Sequence, residues 1–271
     1  MDGRVAVVTG GASGIGEAIA RALGQTGAHV VVADRDVDGA NRVAQALPRA
    51  QAAEVDVRDA THVADFAERV AFEHGGAAIL VNNAGVACRG TFAESSLDDL
   101  HHVLDVNLWG VLHSTHAFLP QLARQDEAHI VNIASIFGVL PVPGQASYAA
   151  SKFAVRGFSE SLAEELRGGP IGVTTVFPGG IATPIAARAR SAALAPPPDA
   201  LWQTALTFFE RRAAPPESVA RAVVRAIQHR RERVLVTPEA HIIDLARRVA
   251  PQLATRAAAW WSSRDLARRW W

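Results

Sequence analysis

The chain has 271 residues, 49% hydrophobic and 20% charged, and its 27 basic and 27 acidic side chains cancel to a net charge of zero. This composition suits a globular protein with a sizeable core and argues against a disordered or collagen-like chain. One cysteine, Cys88, excludes an internal disulfide and fits a reducing compartment, the cytoplasm; no apolar run is long enough to span a membrane, and Val5–Val8 is too short for a signal peptide.

The first half alternates. Arg4–Thr9 reads as a buried strand ended by Gly10-Gly11, and Gly14–Thr26 as a helix with Ile15, Ala18, Ile19, Ala22 and Leu23 on one stripe. His29–Ala33 is a second strand and Val37–Leu47 a helix stopped by Pro48; Gln51–Val55 is a third strand, followed by a helix over Ala60–Phe72. Ala78–Asn82 is strand four, Leu97–Arg124 one long helix, and Ala128–Ala134 strand five. Ser147–Leu166 is a helix, Gly172–Phe177 strand six, and Arg233–Thr237 a seventh strand, with helices from Pro238 onward. Strands alternating with helices of this length predict an α/β, three-layer, Rossmann-type doubly wound sheet of about seven parallel strands. Residues 1–250 read as a single domain, with a variable substrate lid near 184–212, and residues 251–271 as a C-terminal helical extension.

Thr9-Gly10-Gly11-Ala12-Ser13-Gly14-Ile15-Gly16 lies between a predicted strand and a predicted helix, the context a dinucleotide-binding turn requires. Its spacing, G-x-x-x-G-x-G, matches the general G-x-G-x-x-G pattern only loosely. Asp34 ends strand two, 18 residues after Gly16, where a carboxylate can accept from a ribose diol. A carboxylate there repels a 2′-phosphate, so NAD is the preferred cofactor. Arg35, beside it, leaves NADP as the alternative.

The chemistry-bearing pair is Tyr148 and Lys152. The sequence holds one tyrosine and one lysine, every other basic residue being arginine, and the two lie four apart. At that spacing on a helix they share a face. A nearby ammonium favours the phenolate and lowers the phenol's pKa, which suits a general acid and base. A packing face with a snorkelling lysine is the plainer reading of the pair taken alone.

Thr9–Gly16, Asn82-Asn83-Ala84-Gly85, Asn107, Ser135, the Y-x-x-x-K of Tyr148 to Lys152, and Pro178-Gly179 with Thr183 together resemble the short-chain dehydrogenase/reductase family, over about residues 3–237. The resemblance implies an NAD(P)-dependent alcohol dehydrogenase or ketone reductase. It assigns acid/base catalysis to Tyr148, and to Lys152 both tuning of the phenol and binding of the nicotinamide ribose. Ser135 would hydrogen-bond the carbonyl oxygen, and Asn107 would interrupt its helix and hold a water linking Lys152 to solvent. On the cofactor side it implies Thr9, Gly10, Ser13, Gly14, Ile15 and Gly16 around the pyrophosphate, with Asp34 and Arg35 at the ribose and Asp56 and Val57 at the adenine. Asn82, Ala84 and Gly85 would lie along the adenine ribose and the sheet centre. Pro178, Gly179, Ile181 and Thr183 would sit near the nicotinamide.

The apolar loop Ile136–Pro143 and the lid's Leu194, Leu201, Trp202, Leu206, Phe208 and Phe209 favour a hydrophobic alcohol or ketone, steroid-like or aromatic. An NADP-dependent carbonyl or 3-oxoacyl reductase is the alternative enzyme, and a non-catalytic NAD-binding sensor or membrane-associated scaffold the alternative of another class. His101, His102, His113 and His116 show no converging third ligand, so no metal is expected. No nucleic-acid-reading module accompanies the arginines. Relatives of this kind often form homodimers or homotetramers. The tail carries Trp260, Trp261, Trp270 and Trp271 among Arg256, Arg264, Arg268 and Arg269. It reads as a packing or subunit-contact helix, as peripheral membrane contact, or as a disordered end.

Overall fold

A computed structural model describes the backbone of residues 1–195 and 213–270, with side chains as far as residue 260. The predicted lid residues Leu201, Trp202, Leu206, Phe208 and Phe209 therefore lie outside the described residues, as do the side chains of Trp261, Trp270, Trp271, Arg264, Arg268 and Arg269.

The sheet is built from β1 (Val5–Thr9), β2 (His29–Asp34), β3 (Ala50–Glu54), β4 (Ile79–Asn82), β6 (Ala128–Ile133), β7 (Ile171–Phe177) and β9 (Arg233–Leu235). All seven are parallel, in the order β3-β2-β1-β4-β6-β7-β9. The strands read as unbroken apolar runs because both faces are covered. Successive residues still serve opposite sides. Ala6 and Val8 join the core beneath α1 (Gly14–Gln25), α2 (Val37–Gln45) and α7 (Pro216–Gln228). Val5 and Val7 join the core beneath α3 (Ala60–His74), α5 (Gly110–Leu122) and α6 (Ala146–Glu165). Each fully buried Val, Leu or Phe contributes about 1.5–3 kcal/mol relative to exposure, so these two cores dominate the fold's stability.

The long helix expected over Leu97–Arg124 is interrupted. α4 (Leu97–Leu104) passes through a π-turn at Asp105–Trp109 before α5 resumes. Ser96 starts α4 with a reciprocal capping box to Asp99. Sequence periodicity missed two short strands, β5 (Cys88–Arg89) and β8 (Arg190–Ser191), which pair in parallel outside the main sheet. Two residues each are too few to show alternation. α8 (Pro238–Val249) and α9 (Pro251–Trp270) follow β9, separated at Ala250 where Pro251 restarts the helix. Arg247 joins this end to the body, donating to Val139 O (3.1 Å), Pro251 O (2.9 Å) and Thr255 Oγ1 (2.8 Å).

After β3 the chain returns to the middle and adds β4 on the other side of β1. The strand order thus reverses between β1 and β4, and the crevice that ligands use in such sheets opens at the carboxyl ends there. Thr9, Asp34, Asn82, Ile133 and Phe177 are the last residues of their strands, so the loops that come after them meet at one edge.

Candidate active site

The glycine loop after β1 is fixed from below by polar side chains. The buried Thr9 hydroxyl donates to Val81 O (3.3 Å) and accepts from Asn83 N (3.1 Å) and Ala84 N (3.3 Å). Asn83 Nδ2 donates to Thr9 O (3.2 Å) and Gly10 O (2.9 Å), a clamp that the sequence reading left unassigned. Gly10 (φ 64°) and Gly14 (φ 57°) adopt left-handed backbone. At Gly16 a Cβ would come within 2.1 Å of Gly10 O, so this crossing tolerates only hydrogen.

A dinucleotide fits this loop by its donor set. Ser13 stands at the N-cap of α1 with extended backbone and makes no side-chain cap. The first helical N–H groups therefore present an uncapped positive end, where a pyrophosphate binds well. Asp34 Oδ2 accepts from Ala12 N (3.0 Å) and Oδ1 from Asp36 N (3.0 Å), which anchors the carboxylate at the end of β2. Arg35 is exposed beside it. Arg42, not foreseen from the sequence, crosses from α2 to donate to Ala12 O (2.8 Å) and pairs with Glu17 (3.3 Å).

The other residues expected at the cofactor make the following contacts within the chain. Asp56, assigned to the adenine amine, is gripped by Arg58 through Nε (2.9 Å) and the Arg58 backbone N–H (3.0 Å), and that guanidinium holds its carboxyl below the usual range. Val57 is buried against Gly110, where a Cβ would lie 2.6 Å from Val57 Cγ2. Asn82 spends its amide inside the sheet, on Thr115 Oγ1 (3.0 Å) and Asn132 Oδ1 (2.8 Å), and Asn132 passes the chain to Ser159 Oγ (2.8 Å). Ala84 and Gly85 are half-buried, and a Cβ on Gly85 would lie 3.8 Å from Lys152 Nζ. Ile181, expected at the nicotinamide, packs its side chain into the core under α7. Thr183 reaches the glycine loop instead, its methyl 3.3 Å from where a Cβ of Gly14 would be. Pro178 O accepts from Ile136 N (2.9 Å). Gly179 abuts Thr237 and Glu239, and Glu239 Oε1 accepts from Gly180 N (3.0 Å).

Ser135, Tyr148 and Lys152 do converge. Ser135 follows β6 and accepts from Phe137 N (3.2 Å), and its hydroxyl lies near enough to the Tyr148 phenol to favour the phenolate. Tyr148 and Lys152 lie one turn apart on α6, with Nζ 5.7 Å from the ring centroid. Lys152 is 3% exposed and donates to Ile133 O (2.9 Å). Burial pushes its ammonium down to about 8. The phenol departs from the sequence expectation. Burial raises its pKa, and the Ser135 hydroxyl only partly opposes this.

Asn107 sits in the π-turn, fully buried. Its Oδ1 accepts from Val86 N (2.8 Å), and Nδ2 donates to Val86 O (3.0 Å) and Ser151 Oγ (3.1 Å). Both amide hydrogens are thus committed, while Oδ1 keeps a second lone pair.

The phenol ring meets Phe137 edge-on (6.0 Å) and packs with Cys88, Val103 and Ala192, which brings β5 and β8 against the site. Cys88 is buried, and burial raises its thiol pKa. Of the apolar loop, Ile136 and Val139 are spent in the core and Leu140 is buried. Among the described residues, no group of three or more His, Cys, Asp or Glu could hold a metal ion, and no helix is long and apolar enough to cross a membrane.

The sheet order, the glycine turn and the Ser–Tyr–Lys cluster together define a Rossmann-type oxidoreductase. A profile of the short chain dehydrogenases matches residues 4–194, and the chain belongs to that family. It is 40% identical over 257 residues to the protein named "Putative oxidoreductase SadH" of Mycobacterium tuberculosis, covering 92% of this chain and 91% of that protein. A short chain dehydrogenase/reductase from Burkholderia phymatum, solved in complex with NAD, superposes with a TM-score of 0.84 at 33% identity, covering 93% of this chain and 95% of the other. A metagenomic short-chain oxidoreductase in complex with NADP gives 0.72 at 33% identity, covering 88% and 98%.

Proposed function

We propose that the protein catalyses the NAD(H)-dependent interconversion of a secondary alcohol and a ketone, with Tyr148 as general acid and base. The observation that carries this reading is the convergence of Ser135, Tyr148 and Lys152 at the carboxyl edge of the sheet, beside a turn whose donors fit a dinucleotide. A bound nicotinamide supplies or accepts the hydride. The chain's own residues manage the oxygen and its proton. In reduction, Ser135 donates to the carbonyl oxygen and Tyr148 delivers its phenolic proton to the same atom. The raised phenol pKa keeps that proton in place until it is needed. In oxidation the phenol oxygen takes the proton back, with Lys152 as the charge that favours the phenolate. A water linking Lys152 to solvent would find no hydrogen on Asn107 and would have to donate to the second lone pair of its Oδ1.

Asp34 supports NAD over NADP, because a carboxylate anchored at the end of β2 would repel a 2′-phosphate brought there. Asn82, Ala84 and Gly85 would flank the adenosine side and Pro178, Gly179 and Thr183 the nicotinamide side. The phenyl wall of Phe137 and the apolar packing of Cys88, Val103 and Ala192 around Tyr148 support a hydrophobic substrate, steroid-like or aromatic. A homodimer or homotetramer belongs to the same reading, and exposed Leu97 and Trp109 on the α4–α5 surface favour a subunit contact. The test is a fluorescence titration with NADH and NADPH, followed by a panel of ketones monitored by NADH absorbance. NADH binding at least tenfold tighter than NADPH, with turnover of bulky apolar ketones, is expected. Tighter NADPH binding would overturn the cofactor assignment, and NADH binding without turnover of any ketone would favour the non-catalytic sensor.

A further inference from the structure

Arg188 stands out among the arginines near the site. Its Nη1 reaches Ser13 Oγ at 3.4 Å across 175 residues of sequence, at the uncapped start of α1. Among the described residues no carboxylate lies within ion-pair distance of it. Two residues on, Arg190 pairs with Asp99 at 3.0 Å, and on the other side of the loop Glu17 is taken by Arg21 (2.9 Å) and Arg42 (3.3 Å). Among the described residues Arg188 is therefore a guanidinium without a counter-anion, placed over a helix end that itself favours negative charge.

The backbone holds it there. Thr183 and Pro184 lie in contact range of Gly14, at 3.3 and 3.5 Å from where a Cβ would be. Arg188 N closes a turn onto Pro184 O (2.8 Å), and immediately afterwards Arg190 N bonds Ala87 O (3.1 Å) as β8 joins β5. The segment is thus fixed at both ends, with Arg188 over the glycine turn between them. Two positive features directed at one point repel each other unless an anion lies between them. The oxygens of a diphosphate meet both, taking backbone N–H groups on one side and a forked guanidinium on the other.

We propose that Arg188 is a pyrophosphate ligand of the dinucleotide site, clamping the diphosphate from the side opposite the helix end. This rests on the dinucleotide reading given above. Because Ala192, just beyond β8, packs with Tyr148, the same clamp ties cofactor binding to the wall of the catalytic pocket.

The test compares wild type, Arg188→Gln and Arg188→Lys by direct binding of NADH, ADP and adenosine, using nucleotide fluorescence and calorimetry. Arg188→Gln is expected to weaken NADH and ADP about tenfold or more while leaving adenosine within twofold, and to flatten the salt dependence of NADH binding. Arg188→Lys, which keeps the charge but not the fork, should fall between. Unchanged urea midpoints without ligand assign any loss to binding rather than folding. Wild-type affinities for NADH and ADP in Arg188→Gln would overturn the clamp and leave the dinucleotide reading standing. Equal weakening of adenosine would also overturn it. Failure of the wild type to bind NADH or NADPH at all would remove both.

Discussion

Replacing Lys152 with methionine should change how the cofactor-free protein's stability depends on pH. Lys152 is 3% exposed and carries no carboxylate partner among the described residues, only Ile133 O at 2.9 Å. Burial lowers its ammonium from 10.5 to about 8. The unfolded chain then holds the proton more tightly than the folded one, so this group destabilises the fold below about pH 8. That penalty is relieved progressively as pH rises towards 10.5. Between about pH 7 and about pH 9.5 the relief amounts to about 2 kcal/mol. Urea unfolding of wild type and Lys152→Met at the two pH values isolates it, since groups common to both proteins cancel. Wild type should gain about 2 kcal/mol on Lys152→Met over that range, and the variant should be the more stable at the lower pH. Parallel pH dependences would refute the claim that a charged lysine is buried here. The burial is tolerated, in this account, because the ammonium serves the phenol.

Other outcomes rest on the same geometry. Gly16→Ala drives a methyl to within 2.1 Å of Gly10 O and 2.5 Å of Asn83 Nδ2; it should cost about 1–3 kcal/mol in urea unfolding and weaken NADH binding at least tenfold by fluorescence. Asn132→Ala leaves Asn82 and Ser159 without their buried partner and should cost about 2–4 kcal/mol, with little effect on the KM of the surviving folded enzyme. Asp34→Ala removes the anchored carboxylate and should bring the Kd values for NADH and NADPH within about threefold of each other in direct titration.

The layered sheet was legible because both periodicities were strong. Runs such as Val5–Thr9 and His29–Asp34 are too short and too β-branched for helices, and glycines and prolines punctuate the segments between elements. The Tyr148–Lys152 pair was legible for a different reason: in a chain that otherwise uses arginine, one lysine on the same helical face as the sole tyrosine marks a chemical need. The hidden features depend on three-dimensional competition. The π-turn at Asn107 leaves the apolar pattern of its helix intact and shows only in where the amide goes. Asn82 and Asn83 are adjacent and alike in sequence, yet the first turns into the sheet and the second clamps the glycine turn, a difference set by strand alternation at the end of β4. Asp56 read as free for a ligand because nothing in the sequence says that Arg58 folds back on it. The rise in the phenol pKa needed burial, which no spacing rule reports.

That Tyr148 moves the proton is the central claim, and Tyr148→Phe tests it most directly. The ring's packing against Phe137, Cys88, Val103 and Ala192 is kept, and only the hydroxyl beside Ser135 is lost. With a ketone that the wild type reduces, kcat should fall by about 10²–10⁴ while the Kd for NADH stays within twofold. A kcat within tenfold of wild type, at unchanged NADH affinity, would contradict the account.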